Sequence, residues 1–127
     1  MTRQDVGKWG EDYVATQLRE RGYGVSIGNK GVDSDLVVTF LGRVIQVEVK
    51  AATQGKDKKW RATLIKNGHT NHNKADIVVL ICQNKAEITF FIVPVKDIVD
   101  RRHMVITSNP RTYQGVWSHY RHESLVI

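Results

Sequence analysis

From residue 4 to about residue 21, apolar or small side chains return every three to four positions: Val6, Gly10, Val14 and Leu18 fall on one stripe. That period predicts an amphipathic helix, with Asp5 placed to cap its start and Gly22 to stop it. The period then shortens. Residues 23–27 form a β-like run, residues 28–31 a turn, and residues 34–40 and 43–50 read as two strands joined at Leu41-Gly42, a hairpin. Residues 51–59 are polar and lysine-rich, as in a mobile loop. A short strand over residues 60–65 precedes the polar stretch 66–74. Residues 77–82 are continuously apolar, as expected of a strand buried on both faces. Asn84-Lys85 turns the chain into a further strand over residues 87–95, with Pro94 at its end, and residues 96–102 read as a helix. The tail, with Tyr113, Trp117 and Tyr120, shows no clear period. The order α-β-β-β-(β)-β-β-α predicts an α/β fold of three layers, a central mixed sheet flanked by helices.

Composition narrows the class. With 127 residues, 41% hydrophobic and 25% charged, the chain matches one soluble globular domain over residues 1–127, with a core of about 5–95 and a basic C-terminal extension, 101–127. A single cysteine, Cys82, excludes an internal disulfide, and its apolar neighbours make it a small buried hydrophobe. No apolar run is long enough to span a membrane and the N-terminus is polar, so the expected location is the cytoplasm, without a membrane partner.

The formal charge of +6 is unevenly spread. Residues 50–74 hold seven Lys or Arg against one acid, Asp57, whereas residues 1–49 are close to balanced. A basic segment beside a more acidic one suits a phosphate-binding surface next to a cation site.

Chemistry concentrates in Val44-Ile45-Gln46-Val47-Glu48-Val49-Lys50. Side chains on a strand alternate, so Gln46, Glu48 and Lys50 share one face while Ile45, Val47 and Val49 share the other. With Leu41-Gly42 as the turn, Phe40 pairs with Arg43 and Thr39 with Val44, which sets Asp35 opposite Glu48. Opposed residues have Cβ atoms about 4.5–5.5 Å apart. Two carboxylates so close repel, and they call for a cation between them or a raised pKa. Mg2+ takes oxygen ligands and often uses one or two carboxylates with waters and phosphate oxygens. Lys50, one pleat beyond Glu48, can neutralise a phosphoryl oxygen. Asp33 shares a face with Asp35 and competes for the ligand role.

Asp35, followed after the turn by Glu48-Val49-Lys50, resembles the PD-(D/E)XK nuclease superfamily, the fold of restriction endonucleases and archaeal-type Holliday junction resolvases. The likeness runs over roughly residues 5–95. It takes in a first helix with Gly7, Gly10 and Glu11, the buried strand at residues 76–82 and the strand end Phe91-Ile92-Val93-Pro94. Ser34 stands where the family's motif has proline. The resemblance implies Asp35 and Glu48 as metal ligands, the Val49 carbonyl as a further ligand, Lys50 as catalytic lysine and Glu11 as auxiliary ligand. It also implies Mg2+, with Mn2+ as a substitute, and DNA as partner.

On that reading Lys56, Lys58, Lys59, Arg61, Lys66, His69 and Lys74 are the natural phosphate contacts. Trp60 suits packing better than base stacking. The cluster His69-Thr70-Asn71-His72-Asn73 lacks the further ligands of a metal site. Arg101, Arg102, Arg111, Arg121, His119 and His122 in the tail are candidates for nucleic acid, for a dimer interface or for plain solvation. The expected activity is Mg2+-dependent hydrolysis of DNA by an endonuclease, structure-selective in the manner of a Holliday junction resolvase and homodimeric. A sequence-specific restriction or homing-type enzyme and a non-catalytic nucleic-acid-binding module are the alternatives.

Overall fold

The computed structural model describes residues 2–29, 34–66, 69–70, 75–98 and 101–127. Asp33, Asn71, His72, Asn73 and Lys74 lie outside the described residues, and Lys66 and His69 are described as backbone alone.

The apolar stripe forms α1 (Arg3–Glu20). Its cap is Thr2 rather than Asp5: the Thr2 hydroxyl accepts from Asp5 N at 3.2 Å, and the Asp5 carboxylate accepts from Thr2 N at 2.9 Å. This capping box satisfies a backbone donor at each residue and starts the helix sooner than an Asp5 cap would. Val14 and Leu18 are fully buried. Gly10 lets the helix approach the sheet closely, since a Cβ there would meet the Ala51 Cβ at 3.2 Å.

The strands are β1 (Gly24–Ile27), β2 (Leu36–Phe40), β3 (Arg43–Gln54), β4 (Trp60–Thr63), β5 (Ile65–Lys66), β6 (His69–Thr70), β7 (Ile77–Asn84), β8 (Glu87–Pro94), β9 (His103–Ile106) and β10 (Arg121–His122). Eight of them make one sheet in the order β1-β2-β3-β7-β8-β10, with β4 joined to β3 and β9 joined to β4. β3 and β7 run parallel and the other pairs antiparallel, so the sheet is mixed. Leu41 (φ 50°) and Gly42 (φ 77°) form the turn, the paired left-handed residues that a two-residue hairpin uses. The register is the expected one from Phe40↔Arg43 to Leu36↔Val47.

Two apolar layers lie against this sheet. On one face α1 packs on Val47, Val49, Val79 and Ile81. On the other, β4 and β9 bring Trp60, Ala62, Met104 and Ile106 over Val78, Leu80 and Cys82. The architecture is therefore α/β in three layers, with the β4–β9 pair and the tail making the layer opposite α1.

Three local expectations are corrected. Residues 51–59 are not one loop: β3 continues to Gln54, and the chain turns at residues 55–59, where Gly55 N donates to Lys59 O at 2.9 Å. Among the described residues of 96–102, the expected helix is not formed. A 3-10 turn (Val95–Asp97) ends as Ile98 enters the core, and Arg102 O accepts from Leu64 N at 2.7 Å, pinning the segment to the end of β4. Residues 101–127 are not an extension, since Tyr113 and Trp117 join one apolar layer, Leu125 joins the other, and β10 pairs with β8. Among the described residues no helix is long and apolar enough to cross a membrane.

Candidate active site

β3 changes neighbours along its length. β2 leaves it at Val47, β4 joins it at Thr53, and residues 48–52 pair with β7 alone. The second edge of β3 therefore opens at these residues onto a cavity of about 580 Å³. Gly7 and Glu11 of α1, Asp35, residues 48–51, Thr53, Arg61, Thr63 and His103 line it.

Asp35 lies one residue outside the β2 ladder. Continuing the register by one step sets it against Glu48, but the last strand pair is Leu36↔Val47. Its carboxylate reaches along the open edge instead, where Oδ2 accepts from Val49 N at 2.9 Å. That bond satisfies a donor which β2 does not reach. The N–H and C=O of one strand residue point to the same edge, so the Val49 carbonyl also faces the cavity.

Alternation sends Val47 and Val49 into the core beneath α1 and leaves Glu48 and Lys50 on the opposite face. Glu48 is only 6% exposed, and the Lys50 Nζ lies 3.6 Å from its Oε1. Burial first, and then the Asp35 charge, push the Glu48 carboxyl up to about 8, against the opposing pull of Lys50. Glu11 arrives from the helix. Because Gly10 sits on Ala51 and Val49, the next residue overhangs the open edge, where burial and the Asp35 charge raise its carboxyl to about 7. The Asp35 charge acts on both Glu11 and Glu48, so the carboxyl groups of all three residues face one opening.

The structure thus brings Glu11, Asp35, Glu48, Val49, Lys50 and Arg61 to one cavity. Lys56 and Lys58 are exposed and Lys59 half-buried on the β3–β4 turn, at the outer end of β4. Arg61 is held by Asp57 in a two-point contact at 2.9 and 2.5 Å, which draws on part of its charge. Thr53, Thr63 and His103 are cavity residues that nothing in the sequence singles out. Thr63 pairs with His103 across β4 and β9, forty residues apart, and nothing local in the chain marks that meeting.

Other candidates are spent on structure. Trp60 is buried and its Nε1 donates to Gln83 O at 3.0 Å, so it packs. Arg111 donates to Ile88 O at 2.7 Å and Thr89 Oγ1 at 3.1 Å, and lies 3.5 Å from Glu123. Arg121 donates to Tyr113 O, and the Arg101 guanidinium stacks 5.6 Å from the Trp117 ring centre. Burial pushes the Cys82 thiol up to about 12, which leaves it unreactive.

The donor set suits a hard cation. Among the described residues no three His, Cys, Asp or Glu side chains form a ready cage. Asp35 and Glu48 with the Val49 carbonyl nonetheless offer oxygen ligands at one opening, with room for water, and Mg2+ is commonly held that way. The sign of fit is this donor chemistry: the Glu48 carboxyl is 6% exposed and Asp35 Oδ2 stands beside it on Val49 N–H, an oxygen-rich opening that positive charge would relieve.

No family model and no curated protein matches the chain. Among solved structures, a bacterial homing endonuclease, I-Ssp6803I, matches with a TM-score of 0.73 at 18% identity, over 94% of this chain and 87% of that one. The two share a fold.

Proposed function

We propose that the chain is a divalent-cation-dependent DNA endonuclease. One observation carries this reading: Glu11, Asp35 and Glu48 crowd one open strand edge with Lys50 alongside, an arrangement that costs stability unless it is used. Asp35, Glu48 and the Val49 carbonyl would hold Mg2+, or Mn2+ in its place, with Glu11 as auxiliary ligand. When bound, the cation supplies Lewis acidity and a water of lowered pKa. Lys50 exchanges its contact with Glu48 for a phosphoryl oxygen and offsets the charge that grows there. Glu11 stands at the cavity mouth, where as auxiliary ligand it would act on the cation directly or through a water. A water oxygen bonds to phosphorus, a P–O ester bond breaks, and the departing oxygen leaves with the electron pair and takes a proton.

Arg61, Thr63 and His103 on the facing wall suit the phosphates that flank the reacting one. Lys56, Lys58 and Lys59 extend that path outward, and Lys66, His69 and Lys74 follow in the sequence as further candidates for phosphate contact. Cutting both strands calls for two such sites, hence a symmetric homodimer.

The fold shared with a homing endonuclease favours a sequence-specific duplex as substrate. The second reading is a branched-DNA resolvase, favoured by the small chain and by a basic turn suited to backbone contacts. The test is cleavage of supercoiled, linear and four-way-junction DNA with Mg2+ or EDTA, by the wild type and by Lys50→Ala. Mg2+-dependent cutting that disappears in the variant is expected. Metal-independent binding with no substrate cut would leave a non-catalytic binding module. A preference abolished by mutating one duplex site marks the homing type, and a preference for junctions of any sequence marks the resolvase.

A further inference from the structure

Asp35 has to hold its place without help from the ladder, and the residue before it is serine, whose backbone is free where a proline would be stiff. The structure shows what holds it. Ser34 is 5% exposed, and its hydroxyl donates to Gln46 Oε1 at 2.8 Å, with Leu36 O a second acceptor at 3.0 Å. The Ser34 backbone N–H also points at Gln46 Oε1, at 3.4 Å. Gln46 lies on β3, two residues before Glu48 and on the same face.

The main chain of Gln46 is fixed in turn. Its N–H donates to Asp76 Oδ2 at 2.8 Å, and its carbonyl accepts from Asp76 N at 2.8 Å. Asp76 heads β7, and its own carbonyl accepts from Val95 N at 3.1 Å, just beyond β8. A continuous set of bonds thus runs from the end of β8, through the head of β7 and Gln46, to the residue that precedes Asp35.

We infer that Ser34 and Gln46 form a clasp that positions the Asp35 carboxylate on Val49 N–H and so presets the cation site. The inference rests on the proposed function for what the site does, though not for the geometry. Gln46 touches no reacting atom; it acts through Asp35. A buried hydroxyl and an amide that satisfy each other lose most when one is removed, because the other is left unpaired. Partners that orient a metal ligand change affinity or activity by about 10–100-fold when mutated.

Two readouts on Ser34→Ala, Gln46→Ala, the double variant and Ser34→Thr test this. The first is the amide resonance of Val49 in cation-free protein, which needs neither metal nor DNA. The clasp predicts that Ser34→Ala and Gln46→Ala both move it toward its position in Asp35→Ala, while Ser34→Thr, which keeps the hydroxyl, leaves it near the wild type. The second is Mn2+ binding by calorimetry. Each alanine variant should bind about 10-fold or more weaker, with the double variant no worse than the weaker single, and with KM for DNA changed far less than kcat. An unmoved Val49 amide in the alanine variants, or fully additive losses, would overturn the clasp. Wild-type protein that binds no Mn2+ while the Val49 amide still responds would overturn the proposed function and leave the clasp standing.

Discussion

Two groups of charge in this protein are built on opposite principles. Around Arg111, each charge meets its complement: the guanidinium bonds Ile88 O and Thr89 Oγ1 and lies between Glu87 at 3.9 Å and Glu123 at 3.5 Å. That group ties the tail to the start of β8. Around Asp35 the carboxyls of Glu11 and Glu48 gather with one lysine, and burial together with the Asp35 charge raises both of them. Buried like charge is a cost, and neighbouring chain does not remove it. The first group is explained by the fold alone. The second is what the proposed cation site would account for.

If that contrast is sound, substitutions should separate the two groups by what they damage. The largest effect is on cleavage. Asp35→Asn, Glu48→Gln and Lys50→Ala each lower kcat on the order of 10²–10³-fold or more in a plasmid-nicking assay, with the folded state retained by circular dichroism. Arg111→Ala should cut at a rate close to wild type once compared below its melting point.

pH provides the next distinction. Glu48 and Glu11 titrate higher in the folded chain, at about 8 and about 7, than their ordinary value of 4.5. Between those values the folded state keeps protons that the unfolded chain has released. Cation-free stability therefore falls as pH rises from about 4.5 to about 8 and levels off above. Chemical denaturation in EDTA across that range measures it, and Glu48→Gln should remove the slope above about pH 7 and leave the share of Glu11 below it. A stability that instead rises steadily over that window would contradict the crowded arrangement.

Arg111→Ala should cost about 1–3 kcal/mol, since it leaves Thr89 and the Ile88 carbonyl without their donor. That cost should change little between EDTA and Mg2+. The smallest effect belongs to the β3–β4 turn. Replacing Lys56, Lys58 or Lys59 with alanine should weaken DNA binding several-fold and lower the salt slope by about one for each phosphate no longer neutralised, leaving the melting point almost unchanged.

Much of the fold and site is legible in the chain, for local reasons. Alternation alone puts Glu48 and Lys50 on one face, and the two-residue turn at Leu41-Gly42 sets a register that holds through Leu36↔Val47. Asp35 is placed to within one step, the ladder ending just before it. Features depending on distant packing are not legible. Glu11 reaches Asp35 because Gly10 docks α1 on Ala51, and His103 reaches the cavity because β9 pairs with β4. The tail lacks a period because its buried residues, Tyr113, Trp117 and Leu125, are single anchors spread over two apolar layers. Residues 96–102 have helical composition, yet Ile98 is buried in the core and the Arg102 carbonyl bonds to Leu64 at the end of β4. Gln46, in the sequence only a neighbour of Glu48 on the strand, takes on its role because Ser34 packs against it.

The most direct measurement is the melting temperature of the wild type and Glu48→Gln at pH 8, each in EDTA and in Mg2+. In EDTA the variant should melt higher, because it removes one of the crowded acids. In Mg2+ the order should reverse, because only the wild type keeps the full set of oxygen ligands and gains the stabilisation of a bound ion. A wild type whose melting point ignores Mg2+, with Glu48→Gln no more stable in EDTA, would show that these acids are neither strained by one another nor set to hold a cation.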